Sequence, residues 1–357
     1  MTAPRVAAVL AALRVLGAAA GAGWFIDRTP GAVIESSLAP IPARQGQDRS
    51  VLVTVDKGES ATDIGHALAA AGVVRSSRLF EVLVGVTGVQ DSLEAGEYDF
   101  DPGMPAIEVV QRIATGRTAS RQVTIPEGLR DEQIGDLLEK SHVVSKSDFM
   151  AALDKSNYQV PFLSQLQDDD DLEGFVFPAS YQFSRTVTAT QVVQELLQGF
   201  QDNVADKVQI EGQDLTLEQV VTLASIVERE AAVPGDRPLI ASVYLNRLRA
   251  GIPLQADPTV QFALAADPSN VSQFGYWKKE LTLDDLQVQS PYNTYVNQGL
   301  PPGPIANPGL ASIEAVIRPA HTDYLFFVAK PDGSHVFAKT LQEHLQNVQK
   351  YEGGTGQ

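Results

Sequence analysis

The sequence predicts an α+β fold: an N-terminal transmembrane helix, a small α+β module, and a mainly helical domain with short β-strands. Three observations lead there. Val6 to Ile26 is an apolar run of about 21 residues, long enough for a membrane span. Short alternating segments near Val51 and Phe326 have the two-residue period of strands, and from Ala189 to Ala250 a helical period prevails. At 357 residues, 44% of them apolar, the chain can bury a sizeable core and divide into two folded units.

Residues 1–28 read as a membrane anchor. Arg5 precedes the apolar run, and Asp27 and Arg28 follow it. Arg14 interrupts it at a cost of about 2.5–3.5 kcal/mol on insertion scales, in the half from which its side chain can snorkel to cytoplasmic headgroups. A cleaved secretory signal is the alternative, since Val15 to Gly23 has the form of an apolar core with small residues behind it. Both readings put the remaining chain outside the membrane. The expected localisation is single-pass in the inner (cytoplasmic) membrane, N-terminus inside, with the folded part periplasmic or extracellular.

Residues 29–50, rich in Pro, Ala and Ser without a sustained period, read as a linker. The small module spans 51–118. "VLVTVDKGES" alternates as a strand does, and "ATDIGHALAAAGVV" sets Ile64, Leu68 and Ala71 on one helical face with Gly72 as its stop. "SRLFEVLVGV" continues as a second short helix. "LEAGEYDFDPGMPAIEVVQRIATGR" supplies a turn, a strand and a third helix. In element order this module is similar to a LysM-type carbohydrate-binding module.

The larger domain spans 119–351, with 352–357 as a flexible tail. It opens on "RQVTIPEGLRDEQIGDLLEK", a strand, a Pro-Glu-Gly turn and an amphipathic helix. The acidic run Asp168 to Asp171 reads as a solvated loop, because consecutive carboxylates fan out instead of converging on a metal. After the helical region the chain is loop-rich through Pro308. It ends in "TDYLFFVAKPDGSHVFAKT", two strands joined by an Asp-Gly turn, and a helix through Tyr351.

Several functions fall away for want of parts. A net charge of −17 without a cluster of Lys and Arg argues against a nucleic-acid partner. The absence of cysteine excludes disulfides, thiol catalysis and cysteine-ligated metals. There is no nucleophile elbow, P-loop, His-Glu-x-x-His or dinucleotide-binding glycine pattern, and no two of the five histidines stand at a ligand spacing on a clear helix. Neither cofactor nor metal is expected, and carboxylates remain.

The strongest candidates follow the segment "TLEQVVTLASIV". Leu217, Val220, Val221, Leu223, Ala224, Ile226 and Val227 make this helix apolar almost all round, so it is expected at the centre of a domain. Glu228 and Glu230 stand at its end, about 200° apart around the axis, and cannot face the same way. Desolvation there would raise a carboxyl pKa toward that of a general acid. Periodicity does not separate the two, and both could equally be ordinary charges beside Arg229 and Arg237. Downstream, Asn246 lies on a second long helix, and a Gly-Ile-Pro turn delivers Gln255 and Asp257. "SPYNTYVNQGLPPGPIANPG" offers Tyr292, Asn293 and Tyr295 in a rigid loop of the kind that lines a sugar cleft, or that simply joins two elements.

"LEGFVFPASYQF", "LASIVEREA", "VYLNRLRAGIPLQADPTVQFAL", "SPYNTYVNQGLPPGPIANPG" and "YLFFVAKPDGSHVFAKTLQEH" occur in succession. Together they resemble the signatures of the endolytic murein transglycosylase family, MltG or YceG-like. The resemblance covers about Val51 to Tyr351. It implies a single-pass inner-membrane enzyme, a LysM-like module and a lysozyme-like active-site helix. It further implies cleavage within nascent peptidoglycan strands and, as neighbours, the cytoplasmic membrane and penicillin-binding protein synthases. By that resemblance Glu230 is the catalytic glutamate, although the family has Ser or Thr after it and this chain has Ala231. Glu173, Asn246, Gln255, Asp257, Tyr292, Asn293 and Tyr295 are the expected substrate-binding residues. A lytic transglycosylase needs one carboxylate, acid then base, and leaves a 1,6-anhydro-MurNAc end. A muramidase that activates water with Asp257 or Glu173, or a non-enzymatic wall-binding scaffold, are the rival readings.

Overall fold

The computed structural model describes residues 50–101, 103–116, 118–167, 171–208 and 215–351. Among these the fold is α+β, with twelve α-helices and three two-stranded sheets. One expectation is corrected here. No helix among the described residues is long and apolar enough to cross a membrane, so a single-pass inner-membrane localisation is unsupported. The apolar run from Val6 to Ile26 on which it rested, the linker 29–50, Asp168 to Asp170 of the acidic run and the tail 352–357 lie outside the described residues.

The chain divides into two compact units between Arg121 and Gln122. In the first, strands β1 (Val51–Val55) and β2 (Gly96–Phe100) pair antiparallel, Val53 opposite Tyr98. Between them come helices α1 (Ala61–Ala70) and α2 (Ser77–Thr87), and α3 (Ala106–Ala114) follows. The two-residue period turns Val53 and Val55 inward and leaves Leu52 exposed. Ser60 and Asp63 close a capping box on α1, and Ser76 caps α2. The helices approach closely at Gly65, where an added Cβ would stand 3.0 Å from the Ser77 carbonyl oxygen. Ile64, Leu68, Phe80, Tyr98 and Ile113 fill the core, and the buried Tyr98 phenol donates to the Glu94 carbonyl at 2.7 Å.

Strand β3 (Ser120–Thr124) runs across that division, and the second unit goes on with α4 (Asp131–Lys140), α5 (Lys146–Ala152), β4 (Ser180–Ser184) and α6 (Ala189–Phe200). It continues through α7 (Leu217–Glu230), α8 (Arg237–Ala250), α9 (Asp257–Leu264) and α10 (Pro268–Phe274). It closes with α11 (Leu310–Ile317), the hairpin β5 (Phe326–Ala329) and β6 (His335–Ala338), and α12 (Leu341–Tyr351). β3 pairs with β4. The hairpin turns at Gly333, whose φ of 82° suits glycine.

Helix α7 is the axis of this unit. A Thr216–Gln219 capping box starts it, and every residue from Val220 to Val227 is buried. It packs against α8, α9 and α11. The long Pro-rich loop lies along it, since the Ile305 amide donates to Ser225 Oγ at 3.0 Å deep in the core. Gly174 makes room for that loop: its φ is +91° and a Cβ there would stand 2.5 Å from Pro304. Phe162, Phe175 and Phe200 form an aromatic group beside it, ring centroids 4.7–5.6 Å apart. Each such side chain contributes about 1.5–3 kcal/mol by leaving water. The C-terminal end of α7 is therefore held rigidly, which is what a reacting side chain at that point needs.

Candidate active site

The two glutamates at the end of α7 have different surroundings. Glu228 is tied down. Its Oε1 meets Arg237 at 3.2 Å, and its Oε2 accepts from the Ser312 hydroxyl at 2.7 Å and from the Gly309 amide at 3.2 Å. Arg237 in turn donates to Ser312 Oγ at 3.0 Å. Glu228 thus joins α7 to the starts of α8 and α11, the work of a structural ion pair. The intervening Arg229 lays its guanidinium over Trp277 at 4.0 Å and donates to the Gly128 carbonyl at 3.3 Å.

Glu230 sits on another side of the helix, half-buried. The Tyr244 hydroxyl on α8 donates to its Oε1 at 2.7 Å. Desolvation pushes the Glu230 carboxyl up to about 7, and the negative charge of Asp257 adds to this. The Tyr244 hydrogen bond and the Arg229 charge pull the other way without cancelling it. A carboxyl with that pKa is substantially protonated near neutrality and can both give and take a proton. Tyr244 is itself buried and fixed edge-on against Phe327 of β5, ring centroids 5.7 Å apart at 87°.

Around this pair the loop from Ser290 to Asn297 is stitched to the turn before α9. Gln255, exposed and at φ 51°, donates its backbone N–H to the Thr294 carbonyl at 3.1 Å, and the Ala256 backbone N–H donates to Thr294 Oγ1 at 3.0 Å. Positive φ on a non-glycine residue is uncommon and stores strain. Asp257, the first residue of α9, accepts from the Tyr295 hydroxyl at 2.6 Å. Burial pushes the Tyr295 phenol upward, with Asp257 and Glu230 adding to it. Asn293 is fully buried: its side-chain amide donates to the Leu286 and Val288 carbonyls, and its Oδ1 accepts the Tyr295 amide at 2.9 Å.

A second group of acids lies elsewhere in the unit. Glu173 and Asp131, 7% and 5% exposed, flank the buried side-chain amide of Asn307, which donates to both at 3.0 and 2.8 Å. Asn307 Oδ1 accepts the Val176 amide at 2.9 Å. Burial raises Asp131 to about 7, with the charges of Asp171 and Glu132 adding to it, and burial and then the Asp131 charge lift Glu173 well above the usual carboxylate range. Tyr292 packs its ring on Phe262 at 4.6 Å and feels Glu173, and burial first of all pushes its phenol to about 12. Arg130 stacks on the same Phe262 at 4.1 Å. Among the described residues no group of three or more acidic or histidine side chains is placed to hold a metal ion.

The chain matches the YceG-like family over residues 53–350. It belongs to that family. It is 33% identical over 328 residues to the endolytic murein transglycosylase of Bacillus subtilis, covering 87% of each protein. It is 30% identical over 343 residues to the endolytic murein transglycosylase of Streptococcus pneumoniae strain D39, covering 88% of this chain and 60% of that one. A solved structure, a putative yceG-like protein from Listeria monocytogenes, is 33% identical and covers 84% of this chain and 98% of its own, with a TM-score of 0.56.

In this YceG-like chain the residues singled out in the sequence fall into three places. Glu230, Asp257 and Tyr295 come together, with Gln255 forming the strained turn beside them. Asn246 and Asn293 hold backbone: Asn246 donates to the Thr322 and Tyr324 carbonyls at 2.8 and 3.0 Å, tying α8 to the approach to β5. Glu173 and Tyr292 belong to the Asn307 group. The side-chain amides of Asn293, Asn297 and Gln298 in the loop are bonded to backbone carbonyls of the protein itself. Sequence reasoning missed Tyr244, Arg247, Asp131 and Asn307. Buried Arg247 donates to the Leu325, Pro253 and Leu254 carbonyls, which shapes the turn leading to Asp257. A signal was present, since Tyr244 and Arg247 stand close to the apolar run of Ile240, Ala241, Val243 and Leu245 on α8.

Proposed function

We propose that this chain is an endolytic lytic transglycosylase that cuts the MurNAc–GlcNAc bond of peptidoglycan strands without water. One observation carries the reading: Glu230, its carboxyl raised to about 7, stands at the end of a buried helix with one oxygen oriented by Tyr244. The names of the Bacillus and Streptococcus relatives supply the substrate class. In this mechanism Glu230 protonates the glycosidic oxygen as the C1–O bond breaks. The C6 hydroxyl of the same muramyl residue then attacks C1, and its proton passes to the Glu230 carboxylate. The ring closes as 1,6-anhydro-MurNAc and the acid is regenerated. Tethering of the C6 hydroxyl to the reacting sugar removes the need for a base that aims water.

Nascent strands made by penicillin-binding protein synthases are the substrate this reading implies, and the first unit, two helices between paired strands, is its LysM-like glycan-holding module. Mass spectrometry of glycans released from purified peptidoglycan tests the proposal. The expected products carry 1,6-anhydro ends and include fragments cut from within strands. Reducing ends would replace the transglycosylase by a muramidase, and binding without cleavage would leave a scaffold.

A further inference from the structure

Glu230, at the end of α7, and Asp257, at the start of α9, each have one oxygen capped by a tyrosine. Tyr244 donates to Glu230 Oε1 at 2.7 Å, and Tyr295 donates to Asp257 Oδ1 at 2.6 Å. Oε2 and Oδ2 have no protein donor among the described residues. The two are unlike in solvation: Glu230 is half-buried and Asp257 exposed. Their supports are also independent. Glu230 rides on α7 and is held from α8, whereas Asp257 rides on α9, which packs on α7. It is held from the loop whose Tyr295 amide is locked by Asn293 and whose Thr294 hydroxyl meets Thr259 Oγ1 at 2.9 Å. Such crossed bonding fixes a carboxylate to within the few tenths of an ångström that electrostatic catalysis requires.

We propose that Asp257 is a second catalytic carboxylate: its free Oδ2 faces the sugar bound at Glu230 and stabilises the positive charge that develops on C1 and the ring oxygen. This rests on the transglycosylase reading of Glu230 and extends it. Asp257 takes no proton. The proton given to the leaving oxygen comes from Glu230, the proton of the C6 hydroxyl returns to Glu230, and Asp257 stays anionic throughout. A fixed anion beside an oxocarbenium-like centre favours the transition state over the neutral ground state, which raises kcat more than it alters KM. The same charge has a second effect, on the acid. The groups facing Glu230 are Arg229 on its own helix, Tyr244 from α8, Asp257 from α9 and Tyr295 from the loop. Of these Asp257 is the anion, so it keeps Glu230 protonated to higher pH.

The test compares Asp257→Asn, Tyr295→Phe and Glu230→Gln in the full chain, with purified glycan strands as substrate and turnover followed across pH 5 to 9. Asp257→Asn is expected to lower kcat by about 10²–10³-fold with little change in KM, the range for loss of one preorganised electrostatic contact. Its high-pH limb should move to lower pH, because Glu230 loses the anion that opposes its ionisation, and its residual product should still carry anhydro ends. Tyr295→Phe keeps the charge, so its limb should stay while kcat falls less. Thermal melting of each variant separates these effects from misfolding. Wild-type kcat and an unmoved limb in Asp257→Asn overturn the proposal while leaving the Glu230 reading intact. So does an equal loss in the two variants with unmoved limbs, which would make the pair structural. If Asp257→Asn fails to fold, a Tyr295→Phe limb that moves down as though the anion had gone also overturns it, and an unmoved one supports it. Reducing ends from the unaltered chain overturn both readings, because Asp257 would then be a base for water.

Discussion

Replacing Tyr244 by Phe removes one atom from the candidate site, the hydroxyl oxygen that donates to Glu230 Oε1 at 2.7 Å. The ring contact with Phe327 survives, since it uses only the aromatic face and edge. A hydrogen bond to a charged group is worth about 1.5–3 kcal/mol, and Glu230, half-open to water, belongs at the lower end. One pKa unit corresponds to about 1.4 kcal/mol. The bond favours the ionised form, so its loss should raise Glu230 by about one unit, from about 7 to about 8. An acid that must be protonated would then keep working to higher pH. The high-pH limb of kcat should move up by about one unit while the plateau falls about tenfold through loss of orientation. The assay is release of soluble glycan from purified strands across pH 5 to 9, with melting curves as a check on folding. A limb that stays or moves down would mean that Glu230 is not the titrating acid, or that Tyr244 does not donate to it.

Two further outcomes follow from the same structure. Glu230→Gln should lower turnover by about 10²–10⁴-fold with an unchanged melting temperature, whereas Glu228→Gln should leave Arg237 uncompensated and destabilise by about 3 kcal/mol, with the folded fraction still active. Urea unfolding together with turnover assigns the roles, and the reverse pattern would move the acid to Glu228. Burial raises Asp131 and Glu173, so the folded state binds more protons than the unfolded chain above about pH 4. Their contribution is therefore full below about pH 4 and declines as pH rises through about 7. Asp131→Asn should flatten that decline by up to about 1.4 kcal/mol per pH unit, and urea midpoints at pH 5 and 8 that shift together would contradict it.

Local pattern determined a good deal. The apolar circumference of α7, the capping residues Ser60, Ser76 and Thr216, the Asp-Gly hairpin turn and the alternation of Val51 to Val55 each express an interaction within a few residues. They are visible without the fold. The candidate acids were visible for the same reason, as the first charges after a buried helix. What distinguishes the two glutamates exists only in three dimensions. Glu228 and Glu230 are equivalent along the chain, yet α8 and α11 supply Arg237 and Ser312 to one and Tyr244 to the other, residues 9, 84 and 14 positions away. The pairing of Asp257 with Tyr295 and the burial of Glu173 beside Asp131 and Asn307 likewise join segments 38 to 134 residues apart. A carboxyl's pKa depends on solvation and on charges within a few ångströms, and those distances exist only after packing. The sequence by itself determined most of the helices and strands, the core and the kinds of chemistry on offer, whereas tertiary structure alone decided which carboxyl meets a tyrosine, which is held in an ion pair and which is buried beside Asn307.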